Sequence, residues 1–298
     1  MTTPVTLIGG YLGAGKTTLV NHLLRNADGV RLAVLVNEFG DLPIDADLID
    51  AQDDTLISIA GGCICCSFGD DLAQAIRDLG ELEPTPEHVI IETSGVALPG
   101  SIVLSLGLMN DVRHDGTIVL ANADTIREQA ADTYIGDTIH RQLSDADLVV
   151  LNKVDLADDA VGLANWLGTL APGAEIVPAR FGKVPPQSLL QSFLTRKQGT
   201  EGHGHLDGFD TFRLKLDMPV DADTIARTLA DKSLAIVRAK GFVRDRGGAM
   251  KTIQTVARRW EVSDAPDGVS PGLIVIGRAP EFNPDRIRHA VAEPAETE

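Results

Sequence analysis

The three cysteines of this 298-residue chain fall within four positions, Cys63-Ile64-Cys65-Cys66, between Gly61-Gly62 and Ser67. Upstream, Gly10-Tyr-Leu-Gly13-Ala-Gly15-Lys16-Thr17-Thr18 fits the pattern G-x-x-x-x-G-K-S/T. Set between a strand and a helix, such a loop turns backbone N–H groups around a phosphate and adds the positive end of the helix dipole. Gly10, Gly13 and Gly15 supply the turn, Lys16 reaches the β- and γ-phosphates, and the Thr17 hydroxyl ligates Mg2+, with Thr18 next in the phosphate-binding set. Thiolates bind Zn2+, Co2+ or Cu+ strongly. Three sulfurs leave a fourth position for a carboxylate, His or water, an open site from which metal can be transferred. Small core cysteines and a redox pair are the competing readings, although C-x-C-C lacks the two-residue gap of thioredoxin-like sites.

Asn152-Lys153-Val154-Asp155 points to the base. A carboxylate at Asp155 accepts from two adjacent guanine N–H donors, a pair that adenine lacks. Lys153 would lie along the base plane and Asn152 would brace the loop, so GTP is the expected nucleotide. In Glu92-Thr93-Ser94-Gly95, the carboxylate is placed to hold Mg2+ through water or orient the attacking water, and the Gly95 N–H to touch the γ-phosphate. Asn37-Glu38-Phe39-Gly40-Asp41 is a second candidate switch, with a solvated acidic loop as the alternative for Glu38 and Asp41. No arginine finger stands near these motifs, so intrinsic turnover is expected to be slow.

These motifs need a frame. Short, nearly continuous apolar runs at 5–8, 32–36, 55–59, 89–91, 117–120, 148–151 and 176–177 read as strands covered on both faces. Helical patterns at 16–26, 70–79, 125–143 and 158–170 alternate with them. The expectation is an α/β, doubly wound, mostly parallel P-loop NTPase domain over 1–196, with its motifs at the carboxyl ends of strands where such sheets bind ligands. Residues 197–208, polar and glycine-rich, read as a flexible linker. His203 and His205 within it are weak metal-ligand candidates. Over 209–298 a smaller α+β domain is expected: strands at 212–216, 235–243, 251–256 and 273–276, a helix at 221–230 and a closing helix.

Composition narrows the partners. A formal charge of −17 argues against nucleic acid and anionic membranes, which require basic surfaces. Met1-Thr2-Thr3-Pro4 carries no basic region, and no run approaches the roughly 18 apolar residues of a membrane span. A cytoplasmic location is expected, where clustered cysteines bind metal more often than they form disulfides.

Together the motifs resemble the CobW-type GTP-binding metallochaperones, relatives of the nickel accessory GTPases of urease and hydrogenase maturation. The likeness covers nearly the whole chain and is most specific at Gly62-Cys63-Ile64-Cys65-Cys66 and the phosphate loop. Arg238-Ala239-Lys240-Gly241-Phe242 and Leu273-Ile274-Val275-Ile276-Gly277 look like the family's carboxy-terminal domain. The resemblance implies a GTPase that carries a transition metal, zinc or cobalt, to a client metalloprotein; self-association is open. It makes Cys63, Cys65 and Cys66 the metal thiolates, Glu38 and Asp41 oxygen ligands near them, and Lys16, Thr17, Glu92 and Gly95 the hydrolytic set. The chain departs from the family's usual pattern at Asp41 (Glu), Leu98 (Asp), Asn122 (Asp) and Ser270 (His). The usual long His-rich stretch is reduced to His203-Gly-His205. Two rival functions are an ATP-using P-loop kinase with a structural zinc, and a non-enzymatic nucleotide-linked metal buffer or sensor.

Overall fold

The computed structural model describes residues 2–36, 70–190, 204–206, 208–216 and 218–292. Two compact units, divided between Pro186 and Gln187, make up the chain. In the first, a parallel sheet has the order β2-β3-β1-β4-β5-β6. Its strands are β1 (Thr3–Gly10), β2 (Leu32–Val36), β3 (His88–Glu92), β4 (Val112–Asn122), β5 (Leu148–Asn152) and β6 (Glu175–Pro178). Strands β3 and β5 are buried at every position, as expected where helices cover both faces. Those helices are α1 (Lys16–Arg25), α2 (Asp70–Gly80), α3 (Pro99–Leu106), α4 (Ile126–Ala131), α5 (Gly136–Ser144) and α6 (Ala160–Leu170). One core joins Val5, Leu7, Leu35, Leu72, Ile91 and Ile102; another joins Val119, Ile139, Leu143, Val149, Leu163 and Leu167.

The sequence pattern predicts one helix over 125–143, and the structure has two. Asp132 ends α4, and its Oδ1 accepts from the Tyr134 and Ile135 N–H groups at 2.7 and 3.1 Å, so the local turn wins over helix continuation. Helix α3 carries no strong sequence signal, because Pro99-Gly100 reads as a turn; Pro99 instead takes the first helical turn, where a missing N–H costs nothing. The expected strand at 55–59 lies outside the described residues.

Strand β4 starts five residues before its apolar run, through Arg113-His114-Asp115. Val5 pairs with His114 and Thr6 with Gly116, so Asp115 is the extra residue of a bulge. Its carboxylate enters a buried network: Thr6 Oγ1 donates to Asp115 Oδ2 at 3.3 Å and lies 2.8 Å from His88 Nε2. The hydroxyl has one hydrogen, which goes to the carboxylate, so His88 Nε2 carries the hydrogen that Thr6 accepts.

The second unit is a six-stranded antiparallel sheet of order β11-β10-β9-β12-β8-β7. Its strands are β7 (Gly204–Leu206), β8 (Phe209–Leu214), β9 (Ile236–Arg244), β10 (Met250–Val256), β11 (Arg259–Asp264) and β12 (Gly272–Arg278). Helices α7 (Ala222–Leu229) and α8 (Pro284–Ala292) pack on it through Ile225, Leu229, Ile287 and Val291, against Phe212, Ile253, Leu273 and Val275. Gly204–Leu206 form an edge strand inside the stretch read as a linker, and Arg259–Asp264 form one that the sequence reading lacks. No described helix is long and apolar enough to cross a membrane.

Replacing Thr6 by the isosteric Val removes the hydroxyl that links buried His88 to buried Asp115. The variant is expected to lose about 2 kcal/mol of stability in urea unfolding followed through Trp166 fluorescence. A loss below about 0.5 kcal/mol would contradict the network's role.

Candidate nucleotide and metal site

Parallel register collects the motifs at one edge of the first sheet. Ile8 pairs with Glu92, Gly10 with Leu120, and Asn122 with Asn152, so each motif leaves its strand at the same level. The phosphate loop runs from Gly10 at the end of β1, through the turn at Gly13, to Gly15, which caps α1 in the left-handed region at φ 101°. No side-chain hydrogen bond caps this helix start, which is the arrangement of a phosphate-binding helix N-terminus. A Cβ on Gly15 would lie 2.4 Å from Asn152 Nδ2, so both conformation and space require glycine here.

Asn152 is 2% exposed and joins three segments. Its Nδ2 donates to Ala14 O at 3.0 Å, while its Oδ1 accepts from Gly182 N at 2.9 Å. Phosphate loop, β5 and the segment after β6 are thereby tied through one amide. Lys153 follows with φ 61°, and Asp155 lies exposed in the short 3-10 turn Val154–Leu156. The Val154 N–H donates to Ala179 O at 3.2 Å, which fixes that turn against the end of β6.

Lys16 Nζ donates to Gly10 O at 3.0 Å, folding its ammonium back across the loop. Thr17 Oγ1 donates to Glu92 Oε1 at 3.0 Å, although the two residues are 75 positions apart. Glu92 is 5% exposed. Ser94 Oγ, two residues on, is buried with no hydrogen-bond partner among the described residues. The Thr17 hydroxyl and the Glu92 carboxylate, in contact, are oxygen donors of the kind that fits Mg2+. Thr18 is exposed on the first turn of α1.

Gly95 lies beneath the phosphate loop: a Cβ there would meet Leu12 Cδ2 at 2.6 Å and Leu12 N at 2.9 Å. Farther along α1, His22 Nε2 donates to Val184 O at 3.1 Å. Burial holds its imidazole below the ordinary histidine range, against the pull of that carbonyl, and Lys183 adds to the lowering. The neutral ring thus secures the helix that carries Lys16 and Thr17.

Glu38, Asp41, Cys63, Cys65, Cys66 and His203 lie outside the described residues. The first five are on the segment that follows Val36, which pairs with Glu92, and precedes α2. Among the described residues no three His, Cys, Asp or Glu side chains converge on a metal-sized space.

Residues 4–178 match the family described as CobW/HypB/UreG, nucleotide-binding domain. The chain belongs to this family. Residues 209–293 match the CobW C-terminal domain, so both units have counterparts in CobW proteins. A protein named zinc chaperone CobW from a Sinorhizobium species is 32% identical over 307 residues, covering 86% of this chain and 86% of its own length. Zinc chaperone YjiA of Escherichia coli is 29% identical, covering 82% of this chain and 80% of its own length. A zinc-regulated GTPase metalloprotein activator of Schizosaccharomyces pombe is 34% identical over 163 residues, covering 51% of this chain and 39% of its own length.

Sequence reasoning missed Gln142 and Asp145, whose side chains reach the Glu92-Thr93-Ser94-Gly95 segment and the start of α3. A signal was present, since Gln142 falls on the apolar stripe of Ile139 and Leu143, where a polar residue requires a reason.

Asn152→Ala leaves Ala14 O and Gly182 N buried without that partner. It is expected to cost about 2–4 kcal/mol in urea unfolding. A cost under about 0.5 kcal/mol would show that the loop holds its shape without the bridge.

Proposed function

We propose that this CobW-family chain is a GTP-hydrolysing metallochaperone that binds Zn2+ or Co2+ through Cys63, Cys65 and Cys66 and delivers it to a client metalloprotein. The 3.0 Å contact between Thr17 and Glu92 carries the hydrolytic part of this reading. It joins the Mg2+-ligating hydroxyl of a phosphate loop to a buried carboxylate at the end of the next central strand. The names of the zinc-chaperone relatives support the cargo.

Bound Mg2+ would neutralise charge on the β- and γ-phosphates, held by Thr17 with Glu92 through water. The chain's own groups do the rest. Lys16 exchanges the Gly10 carbonyl for phosphate oxygens, and amides at the start of α1 bind the β-phosphate. The alternative role for Glu92 is to orient the attacking water, and the Gly95 N–H donates to the γ-phosphate. Asp155 accepts from the two guanine N–H donors, with Lys153 along the base. Glu38 and Asp41 are the oxygen ligands of this reading, on the segment that follows Val36, and Val36 pairs with Glu92. Hydrolysis then alters both the Glu92 loop and the segment carrying the metal ligands.

Asp155→Asn removes the acceptor for guanine. GTP affinity is expected to fall about 100-fold or more while ATP affinity stays weak and unchanged, as titration with both nucleotides would show. Phosphate release from GTP, with and without Zn2+, checks turnover in the same preparation. Wild-type preference for ATP would overturn the guanine assignment, and absence of release in both conditions would leave a nucleotide-linked metal buffer.

A further inference from the structure

The loop between β3 and α3 is gripped from one face of α5. Gln142 is 1% exposed, and its Nε2 donates to Gly95 O at 3.1 Å and to Ala97 O at 2.8 Å. Both amide hydrogens are therefore used on one loop. One helical turn on, Asp145 Oδ2 accepts from Gly100 N at 2.8 Å, at the start of α3. Buried between Ile139 and Leu143, an amide at 142 is costly unless both hydrogens are bonded, whereas Leu would pack there without polar cost.

We propose that Gln142 and Asp145 are positioning residues for GTP hydrolysis: they hold the 94–100 loop so that the Gly95 N–H meets the γ-phosphate. The inference rests on the GTPase reading above. Gly95 C=O and Gly95 N–H belong to adjacent rigid peptide planes, joined by the soft dihedrals of a glycine. Fixing the first plane through Gln142 restricts the second, where a glycine left alone would wander. Glycine is required at 95 by the close approach of Leu12, so the rigidity has to come from outside the loop. Helix α5 is suited to supply it. It ends at Ser144 and leads within four residues into β5, whose far end, Asn152, passes into the turn carrying Asp155. The γ-phosphate loop and the base-recognition motif are thus attached to one continuous segment.

The test uses the full-length protein with Gln142→Met, which keeps length and volume and removes both donors. Dissociation constants for GDP and for a non-hydrolysable GTP analogue are measured alongside kcat and KM. GDP affinity is expected to hold, while kcat and analogue affinity each fall about tenfold, the scale of a sub-ångström misplacement. A purely structural role would lower the melting temperature with the analogue-to-GDP ratio intact, and an unchanged ratio overturns the proposal. So does an equal loss for both nucleotides. If Q142M does not fold, the exposed Asp145→Ala carries the same comparison, with a fall of about threefold in the ratio expected and an unchanged ratio again contrary. If the wild-type protein prefers adenine nucleotides, the guanine reading fails and the clamp is judged by the same ratio with ADP and an ATP analogue.

Discussion

Strand β1 lies between β3 and β4, and parallel pairing on both sides fixes the level at which each chain segment leaves the sheet. Ile8 opposite Glu92 sets the carboxylate beside the phosphate loop; Asn122 opposite Asn152 sets the bridging amide under it. A one-residue slip of β3 would turn Glu92 to the other face and separate it from Thr17. The register is held by apolar burial along every central strand and by the Thr6–His88–Asp115 network, which accommodates the extra residue in β4. Features as distant as a bulge at the start of β4 therefore bear on geometry at the opposite end of the strands.

On that frame, three polar side chains convert sheet geometry into loop geometry. Asn152 fixes the phosphate loop to the base edge, Thr17 fixes α1 to β3, and Gln142 fixes the loop after β3 to α5. Each is buried or half-buried, where an unmade hydrogen bond costs more than a made one gains. The loops are thus held by bonds that a bound phosphate can exchange one at a time. Lys16 on Gly10 O and Thr17 on Glu92 are the bonds that the proposed reading has a nucleotide exchange.

Much of this was legible in the chain itself. Continuous apolar runs at β1, β2, β3 and β5 marked buried parallel strands, and the phosphate loop, Asn152-Lys153-Val154-Asp155 and Glu92 stood at their carboxyl ends. What escaped was polar or short. Arg113-His114-Asp115 concealed the first half of β4, because the cost of burying Asp115 is met by Thr6 on β1, a partner that no local pattern encodes. Edge strand β11, Arg259-Trp-Glu-Val-Ser-Asp264, is largely exposed and so lacks an apolar signature. The break between α4 and α5 depends on one Asp132 side chain choosing a turn over a helix. Gln142 shows in the sequence only as a polar residue on an apolar stripe, because the partners that explain it are two carbonyls 45 and 47 positions upstream.

In the proposed reading, one sheet edge serves both nucleotide and metal, through the segment that follows Val36. It is tested most directly by Zn2+ affinity, measured by competition with a chromophoric chelator, on the protein loaded with GDP and with a non-hydrolysable GTP analogue. The account predicts metal bound at least about tenfold more tightly in the analogue state, since only differential affinity lets hydrolysis release cargo. Equal affinities in the two states would contradict it.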